Sequence, residues 1–281
     1  FVLMNLDIEQ VTVPSKEELE TEDKWILSRL NDLTKEVCEN LDRFELGVAL
    51  AKLYDFVWSE FCDWYIELLK PRFADKGSRS NLVAQNVIAY VLGQTLKLLH
   101  PFMPFITEEI RSSLPPISGD EAESIMISAY PSYDPALSFP EDEERMEKLI
   151  ELIRAIRNRR SEMNVPPSKK AKLYVVSDRK DLYGEKTTKF FLKLAYASEV
   201  EYPASHSDEG SVQIVAGSAT AYIPLGELVD LEKEKARLKA EEEKTRGEIK
   251  RLEGKLSNEG FVSKAPAAVV EGARAKLEKY R

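Results

Sequence analysis

The residues best suited to contact a ligand lie in one stretch, residues 53–72, with the sequence LYDFVWSEFCDWYIELLKPR. Its large apolar side chains recur at steps of three and four residues, so one helix can bury them along a single stripe. Glu67 and Lys70 follow at the end of that stripe, where a carboxylate can accept a hydrogen bond and an ammonium can bind an anion. Spacing alone favours a core helix with a solvated acidic edge, and the alternative is a recognition surface.

Basic side chains are concentrated in two parts of an acidic chain. The 281 residues carry a net charge of −9, which argues against simple nucleic-acid binding. Residues 230–281, however, hold 14 Lys and Arg against 11 Asp and Glu, and residues 154–172 hold seven basic side chains against one acid. Such local concentrations can bind a phosphate backbone although the whole chain is acidic. In the second segment, Arg154, Arg157 and Arg160 are candidate phosphate contacts.

The sequence indicates no catalytic or metal site. It contains no glycine-rich phosphate loop, no nucleophile elbow and no Ser, His and Asp arrangement. His100 and His206 are its only histidines, so no metal-ligand spacing exists. Cys38 and Cys62 are too few for a disulfide framework and suit buried, reduced thiols. We therefore expect no catalytic residue, no metal and no cofactor within these residues.

Apolar periodicity predicts a helical bundle in residues 1–166. Its long helices are expected to begin near Glu22, Phe44, Asn81 and Glu141. The second should end at Lys70, because a proline such as Pro71 disfavours the helical conformation of the residue before it. No uninterrupted apolar run approaches the length of a membrane span, so we expect a soluble protein without a membrane partner. The location that we expect is cytoplasmic.

The period changes after Pro167. Residues 171–176 alternate as a strand does, and residues 181–196 read as a helix. A short strand at 200–202 and two more within 211–223, joined through Gly217, complete the pattern. The sequence predicts a small α+β module over residues 167–227, without recognisable chemistry.

Residues 228–281 follow a seven-residue period. Six of the nine seam positions in the first part are apolar. These positions are Leu228, Leu231, Lys235, Leu238, Glu242, Thr245, Ile249, Leu252 and Leu256. The same spacing returns after Pro266, and isolated helices of this length are marginal in water. We therefore predict a pair of helices folded back as an antiparallel coiled-coil hairpin. The predicted fold class is mainly α, with a bundle, a small α+β module and this arm.

Five segments together resemble one family. They are FVLMN at 1–5, DKWILSRL at 23–30, the stretch 53–72, HPFMPFITEE at 100–109 and KLSNEGFVSKAPAAVVEGARAKL at 255–277. Their combination closely resembles the C-terminal third of bacterial valyl-tRNA synthetases, which are class I aminoacyl-tRNA synthetases. The parts WSEFCDWYIE and NEGFVSKAP are the most specific. The resemblance covers most of the chain outside residues 112–225, and neither ATP-binding signature of class I enzymes is present.

The resemblance implies a role for each part of the chain. The bundle would be an anticodon-binding domain, and the hairpin would lie against the outer corner of tRNA. The residues assigned to the anticodon loop are Phe1, Ile66, Glu67 and Lys70, and those assigned to the tRNA corner are Arg251 and Lys276. For the last two, spacing alone favours a solvated coiled-coil face.

The implied protein is the tRNA(Val)-recognition part of a valine-tRNA ligase. Its catalytic and editing domains would lie elsewhere in a longer chain, and ATP would belong to that full-length enzyme. These residues alone would not aminoacylate, and we expect a monomer. The alternative is a non-catalytic helical scaffold whose arm contacts another protein.

Overall fold

The computed structural model describes residues 1–120, 122–207, 209–228, 231–258 and 267–280, and these residues are mostly helical with one small mixed sheet. The helices are α1 (Thr21–Asp42), α2 (Leu46–Asp55), a π-helical segment (Phe56–Tyr65), α3 (Ile66–Ala74), α4 (Arg79–Leu99), α5 (Pro104–Ser112), α6 (Pro140–Glu162), α7 (Glu185–Leu194), α8 (Leu225–Leu228), α9 (Leu231–Leu256) and α10 (Ala267–Tyr280). The strands are β1 (Ala171–Val176), β2 (Ala197–Glu201), β3 (Ser211–Ala216) and β4 (Ala219–Pro224). A mainly helical chain with a small α+β module is thus confirmed.

One hydrophobic core joins the bundle and the module. It contains the apolar faces of α1, α4 and α6 together with buried residues of β1, α7 and β4. The apolar stripe predicted for α1 supplies part of it, because Trp25, Ile26 and Leu30 are buried there. The module is therefore packed onto the bundle and shares its core.

Residues 46–74 form one helix that changes its winding in the middle. In the π-helical segment the backbone N–H of Ile66 donates to the carbonyl of Phe61, five residues earlier. The wider turn lets Phe56 and Phe61, which are five residues apart, both face the core. Periodicity predicted the buried face of this helix, and the structure adds the local change of pitch.

The helix does not end at Lys70, which corrects the sequence prediction. α3 continues through Pro71 to Ala74. An interior proline costs about 3 kcal/mol, because it lacks a backbone N–H and its ring clashes with the preceding turn. Arg72 and Phe73 follow it and are both buried. Their tertiary contacts offset the local cost, and Pro71 itself lies on the exposed face.

α4 is the most apolar long helix in the described part of the chain. It reaches the length and mean hydropathy of a membrane span, although polar residues interrupt its apolar runs. However, 72% of its most apolar window is buried inside the protein. Packing within the bundle accounts for its composition.

The sheet has the strand order β2-β1-β4-β3, with β1 parallel to β2 and antiparallel to β4. α7 connects the two parallel strands, as such a crossover requires. Gly217 joins β3 to β4 with φ +54, and a Cβ there would lie 2.6 Å from a carboxylate oxygen of Glu151 on α6. Glycine is therefore needed where the hairpin meets the bundle.

The arm consists of α9 and α10, which contact each other. Leu252 on α9 and Val270 on α10 are buried, as their seam positions predict. The seam side chains at 231, 235 and 238, and residues 259–266 with Pro266, lie outside the described residues. The structure thus gives two helices that pack together, each with a buried apolar side chain.

Candidate nucleic-acid interface

Phe1, Ile66, Glu67 and Lys70 come together at the start of α3, and we refer to these four residues as the α3 cluster. The ammonium of Lys70 lies 6.0 Å from the centre of the Phe1 ring and also pairs with the carboxylate of Glu67. The Phe1 ring packs edge-on against Phe73, with 5.7 Å between ring centres. The first residue of the chain thus packs against α3, which begins 65 residues later in the sequence.

The α3 cluster offers several kinds of contact within one helical turn. The Phe1 side chain is 47% exposed, Ile66 is half-buried, and the Glu67 and Lys70 side chains reach solvent. An unpaired RNA base stacks on apolar or aromatic side chains and hydrogen-bonds along its edge, while lysine binds phosphate. The cluster has the chemistry to bind an unpaired nucleotide.

A buried ion network holds α3 in place under the cluster. The Arg72 guanidinium lies 2.8 Å from both carboxylate oxygens of Asp23 and 3.6 Å from Glu22. Tyr65 donates a hydrogen bond to Asp23 at 2.9 Å, and Arg72 donates to the carbonyl of Ser80. Burial opposes the charge of Arg72, but the two acids still raise its pKa. The network ties α1, α3 and α4 together.

Sequence reasoning missed this network. Glu22 and Asp23 lie in the first turn of α1, where the helix dipole favours acids and solvation would be normal. Both are buried instead, with exposures of 1% and 0%. The feature of the sequence that could have indicated their burial is their position directly before the apolar face that begins at Trp25.

A second ion cluster joins the module to the bundle. The Lys189 ammonium on α7 lies 2.6 Å from a carboxylate oxygen of Glu20 and 2.9 Å from one of Glu22. Burial opposes ionisation of Glu20, but hydrogen bonds from Lys189 and Ser80 lower its pKa to about 2. Burial raises the pKa of Glu22, whose second carboxylate oxygen has no hydrogen-bond partner. Lys189 therefore fixes α7 beside the start of α1.

Arg154 and Arg157 on α6 stack on aromatic rings. Their guanidinium carbons lie 5.2 Å and 5.9 Å from the centre of the Trp64 ring, and Arg157 also lies 5.6 Å from Tyr196. Arg154 is exposed and lines an open cleft of about 650 Å³ between the bundle and the β3–β4 hairpin. Stacking positions the flat guanidinium while leaving its N–H edge available to a phosphate.

Arg160 does not fit the role of a phosphate contact, which corrects that prediction. It is only 3% exposed, and its guanidinium donates to the carbonyls of Pro166 and Lys169. Burial lowers its pKa. Its position at the end of α6 makes it part of the turn that leads into the module.

Arg251 and Lys276 lie on the two helices of the arm. Arg251 on α9 is exposed and pairs with Glu248 one turn away, at 3.1 Å. Lys276 on α10 is also exposed. A surface ion pair contributes little to stability, so Arg251 can exchange Glu248 for a phosphate at small cost.

Two family models match the chain, one over the bundle and the start of the module and the other over the arm. One is described as the anticodon-binding domain of tRNA ligase and matches residues 23–175, more than half of the chain. The chain therefore belongs to the family of tRNA ligase anticodon-binding domains. The second is described as the valyl tRNA synthetase tRNA binding arm and matches residues 230–281.

Relatives of known identity specify the kind of tRNA ligase. The whole chain is 47% identical to part of the valine-tRNA ligase of Clostridium acetobutylicum, 48% identical to that of Clostridium perfringens and 43% identical to that of Carboxydothermus hydrogenoformans. It spans 32% of the length of each of these relatives and aligns with the C-terminal part of the first two. The resemblance inferred from the five sequence segments is confirmed.

Proposed function

We propose that this chain binds tRNA(Val) at two places, with the α3 cluster on the anticodon loop and the arm against the outer corner. The observation that carries the proposal is the α3 cluster itself. It brings Phe1 to within reach of Lys70 and Glu67, in a chain of the anticodon-binding family. The match of the arm to a tRNA-binding family supports the second contact.

Each residue of the α3 cluster has a distinct role in this proposal. The Glu67 carboxylate accepts a hydrogen bond from the amino group of an anticodon base, while Ile66 and Phe1 pack against base faces. Lys70 orients Glu67 through their ion pair and faces the phosphates. Arg154 and Arg157 add phosphate contacts from α6.

The arm acts as an antiparallel coiled-coil hairpin. The contact between α9 and α10 and the burial of Leu252 and Val270 support this geometry. Arg251 and Lys276 then face the tRNA corner from opposite helices. We retain the division into a bundle (1–166), a connector (167–227) and an arm (228–281).

The chemistry of aminoacylation is placed outside these residues. The chain spans about one third of its relatives' length, so we assign the transfer of valine to tRNA with ATP, and editing, to other domains of a longer enzyme. We propose that this enzyme is a cytoplasmic monomer. A helical scaffold that binds another protein through its arm is the competing function.

A comparison of two tRNAs tests the proposed function. Filter binding of this chain to tRNA(Val) and to tRNA(Ile) should show an affinity for tRNA(Val) at least about tenfold higher, the difference expected from one charged hydrogen bond to a base. Equal affinities would overturn anticodon recognition. Equal affinities for the two tRNAs, together with a molecular mass of the protein in solution that rises with its concentration, would favour the helical scaffold that binds another protein.

Two substitutions separate the two contacts. Glu67→Ala should weaken binding of tRNA(Val) by about tenfold or more, because a charged acceptor is lost, and should barely change binding of tRNA with another anticodon. Arg251→Ala should weaken both tRNAs alike by a few-fold, because a phosphate contact carries no sequence information. The measurement is equilibrium binding of each variant to both tRNAs. Uniform weakening by Glu67→Ala would contradict its role as a base reader.

A further inference from the structure

A narrow groove separates α3 from α7 and places the module beside the α3 cluster. Glu67 and Pro71 lie on its α3 wall. The α7 wall is formed by Lys189, Phe190, Lys193 and Leu194. The spacing of these four residues is that of one helix face, so Lys193 lies one turn beyond Lys189 and points to the same groove.

The two lysines on this face are in different electrostatic states. Lys189 is neutralised by Glu20 and Glu22, as described above. Lys193 is exposed and has no acidic partner within the described ranges. One lysine therefore fixes the helix, and the next presents an uncompensated positive charge at the groove.

The α3 cluster itself has little net charge with which to hold a polyanion. Lys70 and Glu67 form an ion pair, so their charges largely cancel at the distance of a nearby phosphate. A base that approaches Glu67 brings its own phosphates and those of its neighbours towards the carboxylate, which repels them. A cation close to Glu67 relieves this repulsion, and Lys193 shares the groove with that carboxylate.

We propose that Lys193 binds a backbone phosphate of the RNA loop held at the α3 cluster, so that the α+β module is part of the anticodon-side interface. The proposal rests on the proposed function, since it requires RNA at Glu67. It gives the module, for which the sequence indicated no chemistry, a direct role in RNA binding. The Lys189 ion cluster positions the helix that carries the contact.

The experiment compares the unmodified chain with Lys193→Ala, Lys193→Arg and Lys180→Ala. Lys180 is the matched control, because it is an exposed lysine of the same module that does not line the groove. Binding to a tRNA(Val) transcript and to its isolated anticodon stem-loop is measured over a range of salt concentrations. We expect Lys193→Ala to weaken binding of both RNAs by roughly threefold to tenfold and to reduce the salt slope by about 0.7–0.9, the value of one phosphate contact.

The variants distinguish a phosphate contact from a structural effect. Lys193→Arg should retain affinity and slope, and Lys180→Ala should match the unmodified chain. If Lys193→Ala binds both RNAs as the unmodified chain does, while Glu67→Ala still weakens binding of tRNA(Val) more than binding of tRNA with another anticodon, the inference fails and the proposed function stands. Weaker binding by Lys193→Ala without a change of slope would also overturn it. Failure of the unmodified chain to bind the stem-loop would overturn both.

Discussion

Replacing Arg72 with methionine is expected to lower the free energy of unfolding by about 3–5 kcal/mol, the cost of breaking a buried ion pair from one side. Arg72 compensates Asp23 and shares the compensation of Glu22 with Lys189, and neither carboxylate reaches solvent. Methionine fills a similar volume but leaves Asp23 buried without a cation and Glu22 with Lys189 alone. Tyr65 alone then donates to Asp23 from a side chain. Urea denaturation measures the loss.

Arg79→Met is the matched control. Arg79 also pairs with a glutamate, Glu18, but its side chain is 67% exposed. Exposed pairs contribute at most about 1 kcal/mol, so this variant should be nearly as stable as the unmodified chain. Equal losses in the two variants would contradict the buried network as the support of α3.

Acid should partly restore the Arg72→Met variant. Burial already raises the pKa of Glu22 and Asp23 in the unmodified chain, and loss of the guanidinium, which lowers both, raises them further. The folded state then binds protons more readily than the unfolded state, so stability falls as the pH rises through that range and recovers below it. We expect a smaller loss at about pH 5 than at about pH 7.5.

Glu20 has the opposite pH dependence. Its pKa is lowered to about 2 in the folded state, so the ionised carboxylate stabilises the fold at pH values above the ordinary pKa of a glutamate, and this contribution is lost as the pH falls towards 2.

Binding of tRNA is expected to weaken on the order of a hundredfold to five-hundredfold when salt rises from about 50 mM to 200 mM. Each neutralised phosphate releases counterions and contributes about 0.7–0.9 to the slope of log affinity against log salt. The proposed contacts are Arg154, Arg157, Lys193, Arg251 and Lys276. Five such contacts give a slope of roughly 3.5–4.5. Filter binding at constant magnesium concentration and varied potassium chloride measures it.

A double substitution tests where this slope originates. Replacing both Arg154 and Arg157 with alanine should reduce it by about 1.5, because both contacts are removed. The control pair Lys148→Ala and Lys180→Ala removes the same charge outside the proposed interface, where Lys148 is half-buried and pairs with Glu151 and Lys180 is exposed, and should leave the slope unchanged. Affinity that is independent of salt would argue against binding through phosphates altogether.

Much of the fold follows from apolar periodicity. The bounds of α1, α4, α6 and β1 differ from prediction by a few residues at most, because burial of one face at a fixed period is a local property of the sequence. The tRNA-ligase family was also recognisable, since five segments match it in order. Local rules were insufficient at Pro71, where the burial of Arg72 and Phe73 outweighed the preference of a single proline.

The sequence by itself determined the helical bundle, the module and the family, and the resemblance to that family implied the residues that we propose for the anticodon loop and the tRNA corner. Only the tertiary structure decided which charges are available to a ligand. Arg160 and Arg72 are buried, whereas Arg154 and Lys193 are exposed. All four are basic residues within helices, and the sequence does not distinguish the buried pair from the exposed pair. The reason is that the carbonyls and carboxylates that satisfy a buried cation can come from segments distant in the sequence, as Asp23 does for Arg72.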